Sequence, residues 1–209
     1  MTAFPARLAA LTCSYWMWKK QFYPRTILNI GLSSGPEIII WKWQFPKARI
    51  VAVDPRGRDH VVDRLVRAVV HDGSSETTPF CYRCLSTNCL APHHHRRRTV
   101  SIASVSIDQL AADEQPPYFI WMDIEGGEMP ALKGAAKTLE QTPFLNIETR
   151  DWGNRSGQVI KDFMAANRYG MRYQHHNCSD VLYYNRRRIV SNWDEMHDGE
   201  LSECVGGAA

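Results

Sequence analysis

The chain of 209 residues is long enough for one α/β domain with a substantial core and too short for two. Its 44% hydrophobic and 22% charged residues exclude a disordered or fibrous class, and a net charge of +3 is too small to imply nucleic-acid binding by itself. No apolar run reaches the length of a membrane span, so no membrane partner and a cytoplasmic location are expected.

Leu8 to Trp18 follows an Arg but lacks a small-residue cleavage site and carries Tyr15, Trp16 and Trp18. Leu8, Leu11, Tyr15, Trp18 and Phe22 suit one face of a helix instead, so residues 1–25 are expected to form a helix packed on a domain spanning 26–190. Thr26 to Ile30 reads as a buried strand running into the small-residue turn Gly31-Leu32-Ser33-Ser34-Gly35. Glu37 to Phe45 follows as a helix that Pro46 ends, then Arg49 to Val53 as a second strand stopping at Asp54-Pro55. Leu65 to Val70 reads as a third strand before His71-Asp72-Gly73.

Residues 73–99 show no periodicity and are rich in Ser, Thr, Cys, His and Arg, which predicts a long loop or insertion. Ser106 to Leu110 reads as a short helix and Tyr118 to Met122 as a fourth strand. Leu132, Ala135, Ala136 and Leu139 make one helical face, Phe144 to Ile147 a fifth strand, and Val159 to Met164 a further helix. Met171 to Gln174 and Val181 to Tyr184 predict a terminal antiparallel hairpin, and the polar residues 191–209 a peripheral tail. The alternation of strand and helix implies a mostly parallel sheet covered on both faces.

Ligands of such sheets bind beyond the carboxyl ends of the strands, which singles out four places. Gly31, Ser33 and Gly35 lie in a turn whose small residues let the backbone approach a ligand, though a plain strand-to-helix turn has the same pattern. Asp54 at the second strand's end can accept hydrogen bonds from ribose hydroxyls. Asp72 is a candidate contact for an adenine amino group, with an ordinary Asp-Gly turn as the competing reading. Asp123, Glu125 and Glu128 crowd three carboxylates around two glycines, and their repulsion calls for a cation, a basic partner or a retained proton.

Phe119 to Glu128, followed by Ala131-Leu132-Lys133-Gly134-Ala135, resembles the acidic strand-end motif of the FkbM family of S-adenosylmethionine-dependent methyltransferases. Ile30-Gly31 with Gly35, Val53-Asp54-Pro55, Ala68 to Gly73, Ser106 to Leu110 and Asn146-Ile147-Glu148 extend the likeness over about Thr26 to Tyr184. The resemblance implies a Rossmann-like class I methyltransferase fold, with a mostly parallel seven-stranded sheet ending in an antiparallel hairpin. It also implies S-adenosylmethionine as cofactor and methyl transfer to a hydroxyl of a sugar or other small molecule. On that reading Asp123 or Glu125 serves as base, and Glu128 and Glu148 orient it or complete a site for a divalent cation such as Mg. Asp123 would also lie beside the cofactor, and Asn29 beside its methionine part. Two positions depart from the family pattern: Asn29 where Asp is frequent, and Trp121 where Lys is frequent.

Cys81-x2-Cys84-x4-Cys89-x3-His93 has the ligand types and spacing to wrap a structural zinc ion, with His94 and His95 as substitutes for the last ligand. Arg96 to Arg98 and Arg186 to Arg188 read as solvated basic loops. The sharper reading is an anion clamp, and with it a non-catalytic module on the same fold that binds nucleic acid or another anion.

Overall fold

The computed structural model describes residues 3–32, 35–57, 61–81, 89–90, 99–124, 126–149, 156–174 and 180–189. The chain opens with α1 (Ala3–Lys19), β1 (Thr26–Ile30), α2 (Pro36–Gln44), β2 (Arg49–Val53), β3 (Arg64–Val66) and β4 (Val69–Val70). β5 (Thr77–Cys81), β6 (Cys89–Leu90), β7 (Thr99–Val105), α3 (Ile107–Ala111) and β8 (Tyr118–Met122) follow. The last third holds α4 (Glu128–Lys133), α5 (Ala136–Leu139), β9 (Phe144–Glu148), α6 (Ser156–Ala166), β10 (Tyr169–Gln174) and β11 (Asp180–Asn185).

Seven strands form the main sheet in the order β10-β11-β9-β8-β1-β2-β3. From β9 to β3 all neighbours are parallel, and β11 enters antiparallel between β9 and β10. The central strands β1, β8 and β9 are buried at every residue, as continuous apolar runs covered on both faces must be. Side-chain alternation divides them between two cores. Ile27, Phe119, Trp121, Phe144 and Leu182 meet α1 and α2 on one face. Leu28, Ile120, Met122, Leu145 and Val181 meet α3 to α6 on the other. Among the described residues no helix is long and apolar enough to cross a membrane.

Four local readings change. The face of α1 that packs on the sheet carries Ala9, Ala10, Cys13, Trp16 and Met17, whereas Leu11, Tyr15 and Trp18 of the expected face are exposed. The single third strand expected over 65–70 is two short ones: β3 extends the main sheet, whereas β4 leaves it to pair with β7. Residues 73–99 are not all loop, because β5 pairs antiparallel with β7 and with β6 in a second, four-stranded sheet. The apolar helical face around Leu132 and Leu139 is broken in two at Gly134. A Cβ there would lie 2.5 Å from the His71 carbonyl oxygen, and the Asp108 carboxylate accepts hydrogen bonds from the backbone N–H groups of Lys137 and Thr138, starting α5 afresh.

Candidate active site at the carboxyl edge of the sheet

The ladder continues one residue past the parallel strands. Gly31 N–H donates to the Val53 carbonyl at 2.9 Å, Asp123 N–H to the Ile30 carbonyl at 2.9 Å, and Asp54 N–H to the Val66 carbonyl at 3.1 Å. The next register row therefore runs Asp54, Gly31, Asp123, Glu148 and Asp180, the last two being direct partners across β9 and β11. A sheet of apolar strands thus ends in a row of four carboxylates and one glycine. The row is centred between β1 and β8, where the order of connection reverses and open α/β sheets bind their ligands.

Gly31 is required there. Its φ of +90° disfavours a side chain, and a Cβ would stand 1.8 Å from the Asp123 carbonyl oxygen. Gly35, in the left-handed region with φ 59°, turns the chain into α2, and its N–H donates to the Leu32 carbonyl at 2.7 Å. Ser33 lies outside the described residues.

The Asp123 and Glu148 carboxyl groups are close neighbours at the adjoining ends of β8 and β9. Desolvation, then the charges of Glu148, Asp180 and Glu128, hold the Asp123 carboxyl well above the ordinary carboxylate range. Glu128 has a different surrounding: both its oxygens accept from Gly126 N–H at 3.0 Å, and burial outweighs these bonds and raises its pKa. It ties down the loop that leads from β8 to α4. Glu125 is outside the described residues.

Behind this row stands a second layer of buried polar groups on the α1–α2 side. Asn29, fully buried, donates from Nδ2 to Glu37 Oε1 at 2.8 Å, and its own Oδ1 has no hydrogen-bond partner. Burial, opposed by that bond and reinforced by the charge of Asp180, pushes the Glu37 carboxyl up to about 7. Asn146 donates to Asp180 at 2.7 Å. Beneath them Trp121 meets Trp41 edge-on at 5.6 Å between ring centroids, so the position where a Lys is frequent is here part of an aromatic floor. Glu37 and Asp180 were not singled out by sequence. The first looks like an ordinary acid in a helix's first turn, and only the strand order brings the second beside Glu148.

Asp54 is buried, and its Oδ1 accepts from Arg56 N–H at 2.7 Å. Asp72 lies apart, past β4: its Oδ1 accepts from Ser74 N–H at 2.9 Å and meets His71 Nδ1 at 2.8 Å. Its bonds to Ser74, then that to His71, hold its pKa down to about 2.

Of the zinc candidates, Cys81 and Cys89 are direct register partners across β5 and β6, while Cys84 and His93 lie outside the described residues. Arg96 to Arg98 also lie outside them, and Arg186 to Arg188 are exposed in the turn after β11. Among the described residues no three His, Cys, Asp or Glu side chains are grouped to hold one metal ion.

A mostly parallel seven-stranded sheet, helices on both faces, a terminal antiparallel hairpin and an acidic row at the switch point together define a Rossmann-like methyltransferase fold. Residues 59–173, more than half of the chain, match the methyltransferase FkbM domain, and the chain belongs to that family. No curated protein matches it.

Among solved structures it is similar to the MycE methyltransferase from the mycinamycin biosynthetic pathway, in complex with Mg, SAH and mycinamycin VI. That likeness has 14% identity and a TM-score of 0.49, covering 98% of this chain and 54% of that one, so this chain spans about half the length of MycE. It is also similar to the SAH-bound Podospora anserina methyltransferase PaMTH1, with 13% identity and a TM-score of 0.45, covering 86% of this chain and 79% of that one.

Proposed function

We propose that the protein is an S-adenosylmethionine-dependent O-methyltransferase acting on a hydroxyl of a sugar or other small molecule. The observation that carries this reading is the pair of carboxylates Asp123 and Glu148 at the neighbouring ends of β8 and β9 by the switch point, within a family of methyltransferases. Residues that fit the cofactor stand next to it: the turn at Gly31 and Gly35 offers close backbone approach, and Asp54 offers a buried carboxylate to ribose hydroxyls. When bound there, S-adenosylmethionine supplies a methyl group on a positively charged sulfur.

The chain's own contribution is proton management and orientation. Burial and neighbouring charges raise the proton affinity of Asp123, and its carboxylate accepts the proton of the acceptor hydroxyl as its oxygen takes the methyl group. Glu128 fixes the loop beside this pair through Gly126, and Glu37 and Asn29 support it from behind. Asp72 is read as a further contact to the adenine.

Calorimetry with S-adenosylhomocysteine tests this reading. Binding is expected, and Asp54→Ala is expected to weaken it by about ten-fold or more, the value of one hydrogen bond to a charged group. A wild-type protein that gives no heat of binding would sink the proposal. A structural zinc ion on Cys81, Cys84, Cys89 and His93 is a separate reading, supported by the Cys81–Cys89 register. Metal analysis giving under about a tenth of an equivalent of zinc rejects it.

A further inference from the structure

Far from the acidic row, the α1–α2 layer exposes large apolar side chains that its core does not use. Trp18 is 57% exposed, Trp43 77%, Tyr23 60% and Ile39 70%. They are not scattered. α1 ends six residues before β1 begins, and α2 ends just before β2. Both helices therefore finish at the edge of the sheet opposite the carboxylates. Trp18 and Trp43 each sit in the last turn of their helix, and Tyr23 lies in the connection from α1 to β1.

The same edge is strongly basic. Before Asp54 the sequence holds seven Lys and Arg but only one carboxylate, Glu37, and that one is buried. Arg7 lies in the first half of α1, and the other six fall in its last turn, the α1–β1 connection, the last turn of α2, the α2–β2 connection and the start of β2. Lys42 and Arg49 have acidic partners in Asp63 and Glu114. Lys19 lies over the Tyr15 and Trp16 rings at 5.8 and 5.2 Å, and Arg172 stands over Trp16 at 4.0 Å. Burial, then the charges of Lys19 and Arg172, holds the Lys20 ammonium below its ordinary range, as a crowded cationic edge would. Exposed Lys47 and Arg25 extend the patch along the ends of β2 and β1.

Aromatic rings interleaved with cations on a folded surface match the interface of an anionic bilayer, where the rings enter the headgroup layer and the cations meet its charge. A second copy of the chain fits poorly, because a two-fold contact through this patch would set its cations against themselves. We propose that the basic, aromatic end of the α1–α2 layer docks the protein on membranes that carry anionic lipid, in place of the absence of a membrane partner expected from span length alone. Trp18 and Trp43 insert, and Lys19, Lys20 and Lys47 meet the headgroups. The acidic row then faces away from the bilayer.

Co-sedimentation of the full chain with vesicles tests this, comparing phosphatidylcholine alone with phosphatidylcholine and phosphatidylserine in equal parts. Binding is expected only to the second, and is expected to fall as salt is raised. Lys19→Gln with Lys47→Gln should weaken it by about twenty-fold, near five-fold per charge. Trp18→Ser with Trp43→Ser should weaken it by at least about ten-fold, and because both side chains are exposed the thermal melt should stay close to wild type. No binding to phosphatidylserine vesicles, equal binding to both vesicles, or undiminished binding by both double variants overturns the proposal. So does a concentration-dependent dimer that the Trp variant abolishes while vesicle binding persists, an outcome that would give the face to a second copy.

Discussion

Asp123 and Glu148 close the neighbouring parallel strands β8 and β9 in the same register row, and burial together with the charge of Glu148 holds the Asp123 carboxyl well above the ordinary carboxylate range. The ladder fixes their backbones side by side, so each side chain lies in the field of the other. Asp123→Asn and Glu148→Gln are each expected to lower kcat by about a hundred-fold or more, the usual value of a positioned acid–base group. Because the two carboxyl groups are neighbours that act as one unit, the losses should be non-additive: the double variant should lose little beyond the worse single one. Turnover by the two single variants and the double variant checks this.

Glu37 gives a prediction about stability and pH. Its folded-state pKa of about 7 lies above the ordinary 4.5, so the native state binds this proton more tightly than the unfolded chain. The associated stability is fully present below about pH 4.5, and it is lost as the pH rises through about 7. The loss approaches about 3 kcal/mol, since each pKa unit is worth about 1.4 kcal/mol. Glu37→Gln keeps an acceptor for Asn29 and removes the titration. Urea unfolding should therefore show the wild type losing stability relative to this variant between about pH 5 and about pH 8.

Gly31→Ala is expected to cost about 3 kcal/mol or more, the sum of a positive φ and an overpacked contact. The new Cβ would meet the Asp123 carbonyl oxygen at 1.8 Å, and that oxygen belongs to a strand end held by its neighbours. A thermal melt of the purified variant reads the effect directly, as a fall in Tm or a failure to fold.

Trp121 is only 2% exposed and packs against Trp41 beneath the polar groups. Trp121→Ala should destabilise the protein by about 3–5 kcal/mol, as truncation of a large buried ring does. Trp121→Lys should be no milder, because the ammonium would enter an aromatic layer rather than meet the acidic row. Denaturant midpoints of the two variants check both statements.

The strands of the main sheet were legible because parallel strands covered on both faces must be apolar runs, and Ile27 to Ile30, Phe119 to Met122 and Phe144 to Ile147 are such runs. Asp54 and Asp123 were legible for a related reason, as the first polar residues where a run stops. What was missed depends on pairing. Asp180 follows a polar stretch and acquires meaning only when β11 lies against β9. Glu37 is one acid at a helix start until Asn29 turns towards it from the neighbouring strand. β5 lacks alternation, and the short alternation of Val100 and Ile102 in β7 becomes a strand only through pairing with it. The break at Gly134 depends on distant partners: the His71-Asp72 turn lies where a side chain would stand, and the Asp108 carboxylate caps the start of α5.

The contact between Gly31 and the Asp123 carbonyl ties two halves of the edge together. On one side is the turn proposed to cradle the cofactor, and on the other the carboxyl proposed to receive the acceptor's proton. With no side chain between them, a ligand that displaces the turn presses on the backbone that carries the carboxyl. The two occupancies are then linked reciprocally: whatever factor the cofactor applies to the affinity for acceptor, the acceptor applies to the affinity for cofactor. An order of binding, if one is measured, would follow from a single missing methyl group.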